Sequence, residues 1–151
     1  APIDTNFNPA DAQQNVAGAL VQFPEVDGVQ AECGTCSPGG FQAFVQAERP
    51  LVPWASDDNN ELACLYYDLK ETNPDFELIT TAARNWLSRV ALHKAVAAFY
   101  DLDNTEPDVW TMPIVEDSTN PDMQPVCEPD APLGAIWSSL LSDEEVIAAV
   151  S

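Results

Sequence analysis

The sequence predicts an all-α fold, an irregular bundle of about four to six helices with a Pro-rich, disulfide-tethered C-terminal wrap. Three observations lead there. Apolar residues recur at spacings of three and four through most of the first hundred positions, as in helices with one buried face. Asn-Pro and Ser-Pro dipeptides, good helix starts, precede several of these runs. Six of the 13 prolines crowd between Pro107 and Pro132, where the periodicity disappears. At 151 residues the chain is about one domain's worth, read as a helical body (1–104), a wrap (105–134) and C-terminal helices (135–151).

The first helix opens at Asn8-Pro9, carries Ala12, Val16, Ala19, Leu20 and Phe23 on one face, and ends at Pro24. A second is capped by Ser37, starts at Pro38, turns Phe41, Phe44 and Val45 inward, and stops before Pro50. Ser56, followed by Asp57 and Asp58, caps a third, with Leu62, Leu65, Tyr66 and Leu69 buried and Lys70 near its C-terminus. The strongest pattern runs from Pro74 to about Tyr100: Phe76, Ile79, Ala83, Trp86, Val90, Ala97 and Tyr100 share one stripe. As one helix it would be a spine ~40 Å long. Beyond Asp101 the chain is irregular, except for "VWTMPIV" (109–115), read as a short extended piece tied down by Trp110 and Ile114. Helix signals return at "LSDEEV", with Ser142 and Glu145 as a capping box and Leu141 and Val146 as its hydrophobic staple.

Charge narrows the partners. There are 25 acidic residues against five Lys and Arg, a formal net charge of −20. The five cations, Arg49, Lys70, Arg84, Arg89 and Lys94, leave 1–48 and 95–151 with none. Such a surface repels nucleic-acid phosphates and anionic membrane faces. It suits a protein partner with a basic or apolar surface, weak divalent cations, or a saline solvent. No apolar run approaches the ~20 residues of a membrane-spanning helix. The opening "APIDTNFNPA" reads as a mature terminus left after removal of a signal or transit peptide. With an even number of cysteines, the expected setting is secreted or an organelle lumen.

The cysteines are spaced C-x2-C-x27-C-x62-C. A structural zinc site usually presents a second close pair, which Cys64 and Cys127 do not make. The single His93 falls in the apolar stripe, as a half-buried core histidine would. Cys33-Gly-Thr-Cys36 has the C-x-x-C form of a thiol redox pair, whose chemistry needs a strand before it and a helix beginning at the first cysteine. Here "PEVDGVQAE" reads as a poor strand and "SPGG" delays the helix. Pro113 could mimic a substrate-facing proline, but no βαβ framework is expected around it. Disulfides are therefore the favoured use of Cys33, Cys36, Cys64 and Cys127. Three pairings are open, with preference for one in which Cys127 staples the wrap to the body.

"ECGTCSPGGF" resembles the C-G-x-C-[ST]-P-G segment in the helical [2Fe–2S] domain of the xanthine oxidase family. That resemblance implies Cys33 and Cys36 as cluster ligands; the family's C-x-C pair is matched only by Cys64, with Tyr66 in the place of the last cysteine. The run from Cys33 to Trp54 is similar in rhythm to insect chemosensory proteins, implying structural disulfides around a lipid-binding helical bundle. That family's first cysteine pair has no counterpart here, and Cys64 and Cys127 have none there.

"DLDNTEPD" (101–108) places Asp101, Asp103 and Thr105 like the start of a calcium loop, but Glu106 replaces the turn glycine and Met112 the last carboxylate. Neither a nucleophile elbow nor a Gly-rich phosphate loop is present. The expectation is a non-catalytic, cofactor-free binding or accessory subunit of a larger protein assembly. Two alternatives stay open: a carrier of a small apolar ligand, and an iron–sulfur redox subunit using all four cysteines.

Overall fold

Two stretches expected to begin or form helices are strands, and they change the fold class. The computed structural model describes residues 2–139 together with Ser142 and Glu144. It is mixed α/β rather than an all-α bundle, with helices α1 (Pro9–Gln22), α2 (Ser37–Gln46), α3 (Asn60–Lys70) and α4 (Leu87–Phe99). The strands are β1 (Val29–Gln30), β2 (Trp54–Asp57), β3 (Leu78–Thr81) and β4 (Ile114–Asp117). They form one sheet in the order β1-β2-β3-β4. β1, β2 and β3 run parallel, whereas β4 is antiparallel to β3.

The local chemistry explains each correction. β3 lies inside the stretch read as a 40 Å spine. Ile79, Thr80 and Thr81 are consecutive β-branched residues, which favour extended backbone. Burial there alternates, with Leu78 and Thr80 fully inside. A four-residue alternation is easily hidden beneath a long apparent helical stripe. The rest of that stretch becomes a 3₁₀ turn, Arg84–Trp86, and α4, on which only Ala97 is buried. Ser56, expected as a cap, sits inside β2; the cap of α3 is Asn59, whose Oδ1 accepts from the Leu62 amide. β4 overlaps the extended piece expected at 109–115 and continues past it.

The first two helices lie where expected, with two corrections: Ser37 is the first residue of α2 rather than its cap, its hydroxyl being drawn to Ser56 and Trp54, and Phe23, past the end of α1, is exposed. Asn8 caps α1, its side chain accepting from the amides of Ala10 and Asp11. α1 packs chiefly on α2, and Gly39 lets them meet, because a Cβ there would collide with the Pro9 carbonyl. Phe41 and Phe44 of α2 are buried, while Val45 is exposed. The core joins them to Leu51, Trp54, Leu62, Tyr66, Phe76 and Leu78. Phe41 sits edge-on to Trp54 and Phe76, with centroids 4.7 and 5.2 Å apart, a favoured geometry for buried rings.

The Pro-rich segment is tied to α3 by specific bonds. Cys127 is disulfide-bonded to Cys64, which staples the wrap to the body as the sequence predicts and supplies the partner that it leaves open. The Asn60 side chain accepts from the Glu128 amide and donates to the Glu128 carbonyl. The Asn60 and Glu61 amides donate to the carbonyls of Ala135 and Leu133. The wrap thus satisfies first-turn N–H groups that α3 cannot pair internally. Of the capping box and staple expected at Leu141–Val146, Ser142 is among the described residues, while Glu145, Leu141 and Val146 lie outside them.

Candidate functional site

The site begins where β1 ends. Val29 and Ala31 donate to the carbonyls of Pro53 and Ala55, binding β1 to β2 at 3.0 and 2.8 Å. The chain then turns through Cys33, enters a 3₁₀ turn at Gly34–Cys36, and continues directly into α2. A strand therefore does precede the C-x-x-C pair, and helical backbone does begin immediately after Cys33. β1-α2-β2 is the βαβ framework that the sequence reading found missing. In open α/β sheets, reactive groups collect at the carboxyl ends of parallel strands, where this pair lies.

Cys33 and Cys36 are joined in a disulfide, as are Cys64 and Cys127. Their surroundings differ. Cys36 is 3% exposed and Cys33 half-buried, so the outer sulfur faces a newcomer while the inner one is shielded. Cys33 Sγ lies 3.3 Å from Thr35 Oγ1, a hydroxyl able to donate to a thiolate. The partial positive charge of the α2 N-terminus favours that thiolate too.

Buried side chains hold the turn in place. Ser37 Oγ reaches the Cys33 carbonyl at 3.2 Å and Ser56 Oγ at 3.0 Å, and it accepts from Trp54 Nε1 at 3.1 Å. Gly34 is needed: a Cβ there would stand 2.7 Å from the Asp57 carbonyl. Arg84 bridges the neighbouring segments, meeting Glu32 Oε1 at 3.0 Å and Asp57 Oδ2 at 3.3 Å. Burial pushes the Asp57 carboxyl above its ordinary range, with the Arg84 guanidinium opposing that shift. Spacing does not mark Trp54, Asp57 or Arg84, which reach the site through the sheet, whereas Ser37 adjoins Cys36 and joins the site through its hydroxyl.

A cavity of about 690 Å³ opens beside the disulfide. It is lined by the N-terminal segment 2–7, α1, the run 25–33, and parts of α2 and β2, including Cys33, Cys36 and Trp54. Such a volume matches small-ligand sites.

Other candidate residues lie elsewhere. His93 is exposed on α4 instead of half-buried in a core, and its Nδ1 pairs with Glu106 Oε1 at 2.9 Å. That hydrogen bond holds the Glu106 carboxyl below its usual range. In the stretch 101–108, Asn104 accepts from the Glu106 amide, and Asp108 pairs with Lys94 at 2.8 Å. Among the described residues, no group of three or more His, Cys, Asp or Glu is placed to hold a metal ion, and no helix is long and apolar enough to cross a membrane. Pro113 is joined by a trans peptide bond, and its carbonyl accepts from the Ala82 amide.

No protein-family model matches the chain, and no curated protein is significantly similar to it. Fold and site together define a class in physical terms: a mixed α/β protein carrying a C-x-x-C disulfide at a strand-to-helix turn. Its two disulfides suit an oxidising compartment.

Proposed function

We propose that the protein exchanges thiols and disulfides through Cys33 and Cys36, while Cys64–Cys127 serves as a structural tie. One observation carries this reading: the Cys33–Cys36 bridge spans three positions, its outer sulfur half-exposed and its inner sulfur buried at the start of α2. Loop-closure entropy explains why that pair is a poor staple. A bridge across so short a loop adds about 2 kcal/mol, against about 4 kcal/mol for the 63-residue separation of the other. Cys64 and Cys127 are half-buried as well, so the short loop and the place at the start of α2, rather than exposure, set Cys33–Cys36 apart.

A substrate thiolate attacks Cys33 Sγ, forming a substrate–Cys33 disulfide and breaking the Cys33–Cys36 bond. Cys36 leaves as a thiolate and takes up the proton lost by the substrate thiol. A second substrate thiolate then attacks the substrate sulfur of the mixed disulfide. The substrate gains a disulfide, and its two electrons remain on the Cys33–Cys36 dithiol. The setting that fits is secreted or an organelle lumen.

Graded reduction tests the reading. Increasing cysteamine, followed by alkylation and mass analysis, should open Cys33–Cys36 while Cys64–Cys127 stays closed. In the Cys36→Ser chain, cystamine should place one cysteamine on Cys33 as a mixed disulfide and release the other as the free thiol. Opening of both bridges at one concentration, or of Cys64–Cys127 first, overturns the assignment.

One observation supports a second reading, the accessory subunit. α4 leaves Leu92, Val96 and Phe99 exposed, a face able to meet an apolar partner surface. Purification from the native source as a stable complex, lost on Val96→Glu, would support it; a lone monomer at native concentration would count against it.

A further inference from the structure

Three properties of the cavity beside Cys33 describe what it accepts. First, its walls are apolar, with Val16, Ala19, Leu20, Phe23, Val26 and Phe44 facing in. Second, its charged lining residues, Asp4, Glu25, Asp27 and Glu32, are all acidic; Glu32 is held by Arg84, so Asp4, Glu25 and Asp27 supply the rim's charge. Third, one wall is a strand edge that has no partner strand among the described residues. β1 is the outermost strand of the sheet. Its bonds to β2 use the Val29 and Ala31 amides, so parallel geometry turns the N–H and C=O of Gln30 outward. The unbroken run from Glu25 to Cys33 lines the cavity, so this edge leads straight to the outer sulfur.

Resting on the exchange reading above, we infer that the cavity takes an extended, apolar, positively charged cysteinyl peptide, paired along the β1 edge with its sulfur at Cys33. A free strand edge supplies main-chain bonds to an extended peptide, and the apolar wall receives alternate side chains. The acidic rim attracts a cationic segment and repels an anionic thiol such as glutathione. A lipid-like molecule answers only to the apolar wall, leaving the Gln30 edge and the acids without a role.

The test uses the full chain with Cys36→Ser, which leaves Cys33 as a free thiol. The probes are heptapeptides whose central cysteine is activated as a mixed disulfide with thionitrobenzoate. Attack of the Cys33 thiolate on the peptide sulfur forms the peptide–Cys33 bond and releases the yellow thionitrobenzoate anion. One peptide flanks its cysteine with Leu and Val and ends in Lys at both termini. A second has the same core with Glu at both termini, a third has Ser and Gly in place of Leu and Val, and a fourth N-methylates the first. Cystamine, cationic like the first peptide but without a peptide backbone or apolar side chains, reports the reactivity of Cys33 apart from strand pairing and apolar contact.

The first peptide should react about tenfold faster than the second or third, and N-methylation should cancel most of that gain. Ala19→Trp, which fills the cavity, should lower the ratio of its rate to that of cystamine. If all four peptides react within about twofold of one another while cystamine reacts normally, the peptide cleft is overturned and the exchange site stands. If, in addition, a fluorescent alkyl amine binds and Ala19→Trp expels it, the cavity belongs to a lipid-like ligand and the inference is wrong. If Cys33 stays unmodified by cystamine and by every peptide, the exchange reading itself fails.

Discussion

Glu116 is a carboxylate where the fold provides little water. It lies 4% exposed on β4, accepting from Thr80 Oγ1 at 2.7 Å and from the Val126 amide at 2.8 Å. Burial raises its pKa, the two hydrogen bonds oppose that, and the Asp58 carboxylate adds to the rise. A raised folded-state value means the native protein holds a proton that the unfolded chain releases. Below the ordinary Glu value of 4.5 both states are protonated and the contribution is fully present. As pH climbs through 4.5 toward the raised value, that contribution is lost. Glu116→Gln keeps the shape and can still accept from Val126, yet cannot ionise. At pH 7 the variant should therefore melt higher, by about 2–4 °C for each ~1 kcal/mol regained. At pH 4 its midpoint should match the parent. Calorimetry at the two pH values checks this, and a lower midpoint at pH 7 would mean the charge itself stabilises the wrap.

At the scale of elements, the α1–α2 contact rests on Gly39, whose missing Cβ makes room for the Pro9 carbonyl. Gly39→Ala puts a methyl against backbone, which cannot rotate aside. Helix propensity alone would favour Ala by ~1 kcal/mol. Overpacking should win, with a net loss of about 1–3 kcal/mol and a lower melting temperature. Gly18, on the exposed side of α1, has nothing within 4 Å of an added Cβ, so Gly18→Ala should stabilise by up to ~1 kcal/mol. Opposite signs for two identical substitutions in neighbouring helices, read by urea denaturation, would separate packing from propensity.

The same elements divide what was legible in the sequence from what was not. α1 and α2 were legible because Asn8-Pro9 and Ser37-Pro38 are local signals, complete within a few residues of where they act. β2 and β3 were not, because four-residue strands owe their existence to neighbours distant in sequence. Trp54 lies beside Leu78 only once the sheet has formed. Missing the strands hid the site as well. Cys33 and Cys36 were visible as a motif, but the turn that presents them depends on β1 pairing with β2. Arg84 and Asp57 reach the site through the sheet, for which spacing carries no signal. Cys127 was legible as a tie from wrap to body, because a Pro-rich segment with few apolar residues needs a covalent anchor; its partner Cys64 was not, since three pairings fit the spacing.

Across the whole molecule that anchor and the net charge of −20 pull in opposite directions. Removing the anchor as Cys64→Ser with Cys127→Ser should cost about 4 kcal/mol by loop-closure entropy, well above the loss from opening Cys33–Cys36. Thermal melting of the two double variants checks the ranking.

The charge acts differently, through repulsion spread over the surface. Lys70, Arg84 and Lys94 are already engaged with Glu77, with Glu32 and Asp57, and with Asp108. Arg49 is occupied by the carbonyls of Leu20, Phe23 and Pro24. Most of the 25 acidic residues therefore have no cation to offset them. Salt weakens both kinds of interaction, but not equally. The few ion pairs are at least partly exposed, and such pairs contribute roughly 0–1 kcal/mol each. Repulsion among the acids acts over distances that a Debye length of ~10 Å at 0.1 M still permits and one of ~3 Å at 1 M does not. Self-repulsion should dominate, so the melting temperature should rise between 0.1 and 1 M NaCl, by about 2–8 °C for a gain of ~1–2 kcal/mol. Repeating the series near pH 4, where part of the acids are protonated, should shrink the rise. A midpoint that falls with salt at neutral pH would mean that the five cations matter more than their number suggests.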